Sequence, residues 1–406
     1  MHELDAFKTI VAPEKQLDHR SLKDLQPRQR GELRDAGGAV QEADDLLAGP
    51  VTGRSENGAV VTRDPQNVNS PEDTNPRSAR HQAAKEQVEA NRRLEEERLA
   101  QMSPEDRASY EAVRARCREA NDPVAELALQ KLLLEGKLPG ANDLKGEGNL
   151  LSHLARLSDP NTPLADGVDR DQLVTDLVQE LATPTSINQG PRGTCAPTSI
   201  AVQLAMENPA EYARIAAGLA SPSGEVRLAG GETLRREDGT AADDGSGRST
   251  VQRMMGPAMM EMGNGDQNYD SATDAGAGAW SPELDHLYEQ IMGRPMSEQR
   301  TTTDEQRADA MATIDAEVAQ GQTVPVALAW PGGYHKVLVT GTETVDGVEY
   351  VKYVNPWGRE ERMPRDEFER RIADVSWDPT TPRAASQAAA LQRSADLSRW
   401  LSSVAA

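Results

Sequence analysis

The sequence has few aromatic residues, and those it has are unevenly placed. There are 5 Trp, 7 Tyr and 2 Phe in 406 residues. Phe7 and Tyr110 are the only two before Tyr212, and the rest lie between Tyr212 and Trp400. Because aromatic side chains supply much of a core's buried area, we expect the packed part in the C-terminal half. A single core through the whole chain is not expected.

Cysteine, long apolar runs and positive charge are also scarce. Two cysteines cannot build a disulfide framework or a Cys-rich zinc module, and no cofactor or metal is expected. No stretch approaches the length and hydrophobicity of a membrane-spanning helix. The first residues, MHELDAFKTIVAPEK, include early acidic residues and do not read as a Sec-type signal peptide. We therefore expect a soluble cytoplasmic protein, or one exported by a signal-independent route.

The acidic balance bears on partners. Lys and Arg number 44 against 66 Asp and Glu, a formal net charge of -22. Such a chain repels phosphate, so neither nucleic acid nor an anionic membrane is an expected partner.

The composition changes along the chain. Residues 1–80 are polar and broken by Gly and Pro, and we predict a mostly disordered arm with a short helix near 40–48. Residues 81–145 are rich in Glu, Arg, Ala and Leu and predict solvated charged helices. Residues 383–406 predict a C-terminal amphipathic helix that packs on the preceding domain.

A new helix is predicted to begin at Ser103, with Pro104 in its first turn. Tyr110, Val113 and Cys117 share one face of that helix. Cys117 is therefore interpreted as a small packing residue.

Residues 165–382 predict an α+β domain in which helices precede an antiparallel meander. Residues 323–330, 335–340 and 348–354 are rich in strand-forming residues. Asp346-Gly347 predicts a tight hairpin between the last two.

Cys195 is the first candidate catalytic residue. A Gly- and Pro-rich loop, INQGPRGTCAP, brings it to a predicted helix N-terminus with Pro197 in the first turn. Unpaired amides and the helix dipole at that position favour a thiolate and predict a lowered thiol pKa.

A cysteine nucleophile requires an imidazole beside it and a group that orients the imidazole. His335 opens an apolar strand after a Gly-Gly turn, whereas the other histidines lie in the polar N-terminal region or beside helices. Asn355 ends the next strand, in Asn-Pro-Trp-Gly. An ideal two-residue turn would place Asn355 opposite Leu338 rather than His335. A bulge, a wider loop or a reach from beyond the strand end must bring the two together.

Gln189 precedes Cys195 by six residues. Its side-chain amide, together with the Cys195 backbone N–H, could form an oxyanion hole.

These motifs, Gln-Gly-x-x-Gly-x-Cys, a distant His and Asn-x-Trp-Gly, resemble the papain-like cysteine peptidases. The Asn-Pro-Trp-Gly form resembles the calpain branch, and residues 325–339 resemble the bacterial double-glycine leader peptidases and related effector proteases. The resemblance implies a helical subdomain that carries the cysteine and an antiparallel sheet that carries His and Asn. It implies Cys195 as nucleophile, His335 as general base and acid, Asn355 as orienting group and Gln189 as oxyanion donor. Trp357 would shield the Asn–His hydrogen bond.

The motifs depart from secreted members at two positions. Ala196 stands where plant and lysosomal members have Trp, and Arg192 stands where those members have a disulfide cysteine. This fits an intracellular or effector-type enzyme and leaves the substrate preference undefined.

Three functions stay open: hydrolysis of a protein or peptide substrate, acyl transfer (transglutaminase, deamidase or isopeptidase), and a catalytically inert interaction module. The polar N-terminal region predicts a delivery role or a secretion-machinery, chaperone or inhibitor partner rather than autoinhibition. The whole pattern resembles a bacterial toxin or effector.

Overall fold

The computed structural model describes residues 35–48, 50–55, 58–63, 79–263, 269–270, 278–279, 281–330 and 332–380. The predicted C-terminal helix at 383–406, most of the predicted N-terminal arm and Phe7 lie outside these residues. No helix in the described ranges has the length and apolar character needed to cross a membrane. The helices are α1 (Ala36–Leu47), α2 (Ala79–Leu99), α3 (Pro104–Glu119), α4 (Pro123–Leu134), α5 (Leu150–Ser158), α6 (Arg170–Ala182), α7 (Cys195–Glu207), α8 (Pro209–Ala220), α9 (Thr250–Gly263), α10 (Ser281–Met292), α11 (Asp304–Val318) and α12 (Arg365–Arg371).

The described strands form an α+β architecture with these helices, as the sequence predicts. One large sheet has the order β1-β2-β9-β8-β7-β6-β10-β5, with every neighbouring pair antiparallel. β3 and β4 form a separate hairpin. The strands are β1 (Pro50–Arg54), β2 (Val60–Arg63), β3 (Glu225–Arg227), β4 (Thr233–Arg235), β5 (Ser297–Arg300), β6 (Val324–Trp330), β7 (Gly333–Val345), β8 (Val348–Asn355), β9 (Arg359–Pro364) and β10 (Ile372–Trp377).

The prediction of a mostly disordered arm over residues 1–80 is wrong for residues 36–48, 50–55 and 58–63. Helix α1 packs on α4, and β2 joins the edge of the main sheet by pairing with β9. The short helix predicted near 40–48 is present as part of α1. The prediction failed because β2 finds its partner about 300 residues away in the chain, so its own composition carries no sign of it.

The predicted charged helix α2 is present, with exposed Arg92–Glu89 and Arg93–Glu97 pairs, but one face of it is buried rather than solvated. Its Asn91 and Glu95 are buried against α4, where Gln130 accepts a hydrogen bond from Asn91 (3.2 Å) and donates to Glu95 (3.1 Å). Tyr110 also donates to Glu95 at 2.6 Å. Polar side chains can be buried when hydrogen bonds satisfy them, which a hydrophobic pattern does not reveal.

Helix α3 follows its prediction. Ser103 caps it by accepting a hydrogen bond from the Asp106 backbone N–H at 3.0 Å. Tyr110, Val113 and Cys117 are fully buried on one face, and burial raises the pKa of the Cys117 thiol well above its usual range. The prediction of Cys117 as a packing residue is confirmed.

The main sheet separates two hydrophobic clusters. Leu338 and Val354 face the helical cluster, which runs from Ala43 of α1 through α4 to α10. Val337 and Val339 face a second cluster with α11 and α12. The core does not divide at residue 165, and the expected concentration of packing in the C-terminal half is wrong. Leu, Ala and Val fill the aromatic-poor half.

Candidate functional site

The hairpin between β7 and β8 sets the register of the site. Asp346 and Gly347 both have positive φ, at 52° and 79°, as the predicted tight turn requires. Gly341 pairs with Lys352, whereas Val339 pairs with Tyr353. One residue of β7, Thr340, is therefore extra and forms a β-bulge.

The bulge decides which face of the sheet carries Asn355. Continuing the shifted register places Asn355 opposite Val337 instead of Leu338. Because side chains alternate along a strand, Val337 and His335 lie on the same face. Of the alternatives that the sequence left open, the bulge is the one that the structure uses.

His335 and Asn355 form a direct hydrogen bond. His335 Nε2 lies 2.9 Å from Asn355 Oδ1, and both residues are buried. An amide oxygen only accepts, and Asn355 Nδ2 donates to Glu361 Oε1 at 3.2 Å, which fixes the amide orientation. The Nε2 atom of His335 therefore carries the proton, and Nδ1 is the ring nitrogen left to act as a base.

Two tryptophans enclose the imidazole. The ring centroids of Trp330 and Trp357 lie 4.9 Å and 4.7 Å from that of His335. Burial lowers the pKa of His335 to about 4, with a smaller lowering by the Arg359 charge, and the hydrogen bond to Asn355 opposes both. The imidazole is neutral at pH 7, so it can accept a proton.

A buried carboxylate supports Asn355, and sequence reasoning did not find it. Glu361 accepts hydrogen bonds from Tyr353 (2.7 Å), Arg359 (2.7 Å) and the Asn355 amide. The turn at Gly358, with φ of 74°, folds β9 back so that Glu361 pairs with Tyr353. The Asn-Pro-Trp-Gly turn could have indicated that the next strand lies near Asn355. Nothing in the sequence distinguishes Glu361, which is buried, from the other charged residues of that strand.

Cys195 lies at the first residue of α7, as predicted. The preceding Thr194 makes no side-chain hydrogen bond to the helix end. The backbone N–H groups of Lys336 and Ala196 interact with the Cys195 sulfur and favour the thiolate. Cys195 itself is half-buried.

The prediction of a lowered thiol pKa is wrong. Burial raises the pKa of Cys195 above its ordinary value and outweighs the helix N-terminus and nearby amides. In the described part of the chain, no hydrogen bond joins the Cys195 sulfur to the His335 ring; the sulfur interacts with the backbone of the adjacent residue, Lys336. The resting pair is thus a neutral thiol and a neutral imidazole.

Gln189 is tied to the Asn355 turn. Its backbone N–H donates to Pro356 O at 2.8 Å, and the preceding Asn188 forms an isolated bridge with Trp357. Its buried side chain donates through Nε2 to Arg192 O, while its Oε1 has no hydrogen-bond partner. An amide nitrogen carries two N–H groups, so a second donor remains.

The structure therefore brings the four predicted residues into one region through three links. His335 bonds Asn355, the Gln189 backbone bonds the turn after Asn355, and the Cys195 sulfur interacts with the residue after His335. Among the described residues, no group of three or more His, Cys, Asp or Glu is placed to hold a metal ion.

No protein-family model matches the chain, and no curated protein matches it.

Proposed function

We propose that the protein is a cysteine peptidase with a papain-like arrangement of its catalytic residues. The observation that carries the proposal is the buried hydrogen bond of 2.9 Å from His335 Nε2 to Asn355 Oδ1. This hydrogen bond leaves His335 Nδ1 free to act as the base. The next residue, Lys336, has the backbone N–H that interacts with the Cys195 sulfur. A helical layer that carries the cysteine and an antiparallel sheet that carries His and Asn also fit this class.

The proposed reaction begins with Cys195. His335 Nδ1 accepts the thiol proton as the sulfur attacks the peptide carbonyl, and a C–S bond forms. The Cys195 backbone N–H and the second N–H of Gln189 stabilise the oxyanion. The C–N bond then breaks as His335 returns the proton to the leaving amine. Water, deprotonated by His335, hydrolyses the acyl-enzyme and restores the thiol.

One observation favours a second candidate, an inert interaction module on the same scaffold. Cys195 lacks a hydrogen bond to His335, and burial raises its pKa, so the thiol is not pre-activated. A peptidase would need the Cys195 sulfur and His335 Nδ1 to approach each other when substrate binds. Such tightening is common, because hydrogen bonds between catalytic groups are often long in the absence of substrate.

Labelling of Cys195 separates these candidates. Wild type should react with a thiol-directed epoxide or acyloxymethyl ketone and cleave peptides from a substrate library. Cys195→Ala should lose both, while Cys117→Ala, which removes the buried packing thiol, should keep both.

Mass spectrometry of the treated library identifies the reaction. Cut chains support a peptidase, whereas a small mass change on Gln supports acyl transfer. If the wild-type protein takes up no label and changes no substrate, the inert module is the correct reading.

A further inference from the structure

Lys336, the residue after His335, is a buried lysine whose backbone N–H interacts with the Cys195 sulfur. It is 7% exposed, and its Nζ donates to the Asp374 carboxylate and, at 3.0 Å, to Ser376 Oγ. A lysine is rarely this buried unless it is paired. The catalytic steps proposed above do not use its side chain.

The sheet register explains how Lys336 reaches Asp374. On β6, Ala327 pairs with Lys336 on one side and with Asp374 on the other, so the three residues form one row across the sheet. Residues directly opposite on neighbouring strands place their side chains on the same face. The small methyl group of Ala327 leaves room for the lysine to cross β6.

The same row lies against the helix that begins with Cys195. Lys336 alternates with Leu338, whose side chain belongs to the helical cluster, so both face α7. Ser199, one turn into α7, donates to Cys195 O at 2.9 Å and to Lys336 O at 3.3 Å. The lysine charge acts on the thiol and lowers its pKa against the effect of burial.

Acidic groups around Lys336 reduce that effect. Besides Asp374, the charges of Asp285 on α10 and Glu298 on β5 belong to the same cluster. Asp285 Oδ1 is buried with no hydrogen-bond partner, and burial, with the Glu298 charge, raises the pKa of Asp285 to about 6. Glu298 also pairs with Arg300 at 3.2 Å, so Lys336 is the cation that is hydrogen-bonded to Asp374 within a locally acidic group.

We propose that Lys336 is the cation that stabilises the Cys195 thiolate and that Asp374 limits how much of its charge the sulfur experiences. The inference rests on the proposed role of Cys195 as nucleophile. The positive charge of Lys336 would act on the Cys195 sulfur independently of His335. The thiolate would then be stabilised even while the imidazole is neutral.

The test measures the Cys195 thiol pKa in a Cys117→Ala background, where Cys195 is the only thiol. The pH dependence of iodoacetamide alkylation gives this pKa without any peptide substrate. Lys336→Met should raise it by about one unit, the lower end of the shift caused by a nearby opposite charge. At a pH below both pKa values, alkylation then slows about tenfold. Asp374→Asn should shift the pKa downward.

Lys336→Arg keeps the charge and should hold the thiol pKa near the wild-type value. The opposite signs expected for Lys336→Met and Asp374→Asn separate an electrostatic effect from loss of structure, which would move both in one direction. An unchanged pKa in Lys336→Met, or shifts of the same sign in both variants, overturns the proposal. If the shifts appear but wild type cleaves nothing, the charge assignment stands and the peptidase proposal fails.

Discussion

At the scale of the residue, the most consequential group is the His335 imidazole. The ring lies between Trp330 and Trp357, and its Nε2 atom donates a hydrogen bond to the fully buried side-chain amide of Asn355. Such surroundings penalise the charged form, and the pKa falls to about 4. A base with this pKa stays competent at acidities that would protonate an exposed histidine.

The acid limb of the pH profile of kcat/KM should therefore lie at low pH. If His335 must be neutral to accept the thiol proton, kcat/KM rises with pH through the histidine pKa, with a midpoint near 4 rather than 6.5. Trp357→Ala exposes the ring to water and should move this midpoint upward by about one unit or more. The measurement is kcat/KM for the best library peptide between pH 3 and pH 8.

Trp377→Ala provides the matched control, since Trp377 packs on the second cluster and makes no ring contact with His335. Its acid midpoint should match that of wild type. A Trp357→Ala midpoint that also stays near 4 would show that the tryptophan does not set the histidine pKa.

The four site residues could be predicted because each follows a recognisable backbone signal. Cys195 follows a Gly-rich loop at a helix start, and His335 and Asn355 flank a hairpin that two positive-φ residues define. Glu361 and Lys336 could not be predicted. Their roles depend on partners across strands, Tyr353 and Asp374, which only the folded register brings near.

At the scale of the element, the β7–β8 hairpin places His335 beside Asn355. Its turn was predictable because Asp-Gly suits two consecutive residues with positive φ. Its bulge was not, because Thr340 is a good strand residue and nothing in the sequence marks it as extra. The sequence therefore specified that His335 and Asn355 share a hairpin, while the packed sheet determined that they share a face.

Deleting Thr340 should remove the bulge and leave the His335–Asn355 pair in place. Without the extra residue, the Val339–Tyr353 pair follows the Gly341–Lys352 pair in regular register, and Asn355 stays opposite Val337, on the face of His335. We therefore expect kcat/KM to stay within about tenfold of wild type, less than the usual contribution of general acid–base catalysis. Circular dichroism and peptide cleavage report fold and activity separately.

Thr340→Ala keeps the residue count and the bulge, so it should retain nearly full activity. A large loss of activity after the deletion, with the circular dichroism spectrum unchanged, would show that the bulge geometry itself, and not only the strand pairing, positions His335 against Asn355.

At the scale of the whole molecule, strands β1 and β2 of the N-terminal segment are part of the main sheet. Val61 of β2 pairs with Glu361 of β9, the carboxylate that supports Asn355. Asp44 of α1 forms an ion pair of 3.0 Å with the buried Lys131 of α4. The polar composition predicts disorder here. The prediction fails because a short strand near the edge of a sheet needs little apolar surface of its own when neighbouring strands satisfy its backbone hydrogen bonds.

Removing residues 1–63 should destabilise the protein and impair the site. The truncation exposes the edge of β9 and the surfaces that Ala43, Leu47 and Val61 cover. A loss of a few kcal/mol predicts a melting temperature lower by about 5 °C or more and reduced cleavage. Differential scanning calorimetry and peptide cleavage are the measurements.

A chain that begins at Asp35 is the control, since it keeps α1, β1 and β2. It should melt within about 2 °C of the full-length protein, a range that corresponds to roughly 1 kcal/mol or less. Equal stability of both truncations would show that β2 contributes nothing to the sheet.

The pairing of β2 with β9 also dictates an order of events during synthesis. The two strands are about 300 residues apart, so a ribosome synthesises most strands of the main sheet before β2 can pair with β9. Contacts of such long range form late, because the chain must first pay a large loop-closure entropy. Cys195 leaves the ribosome well before His335 and Asn355 can be held in register by Glu361. The proposed nucleophile is therefore synthesised before the proposed base has its supporting hydrogen bonds, and β2 is synthesised long before its partner strand β9.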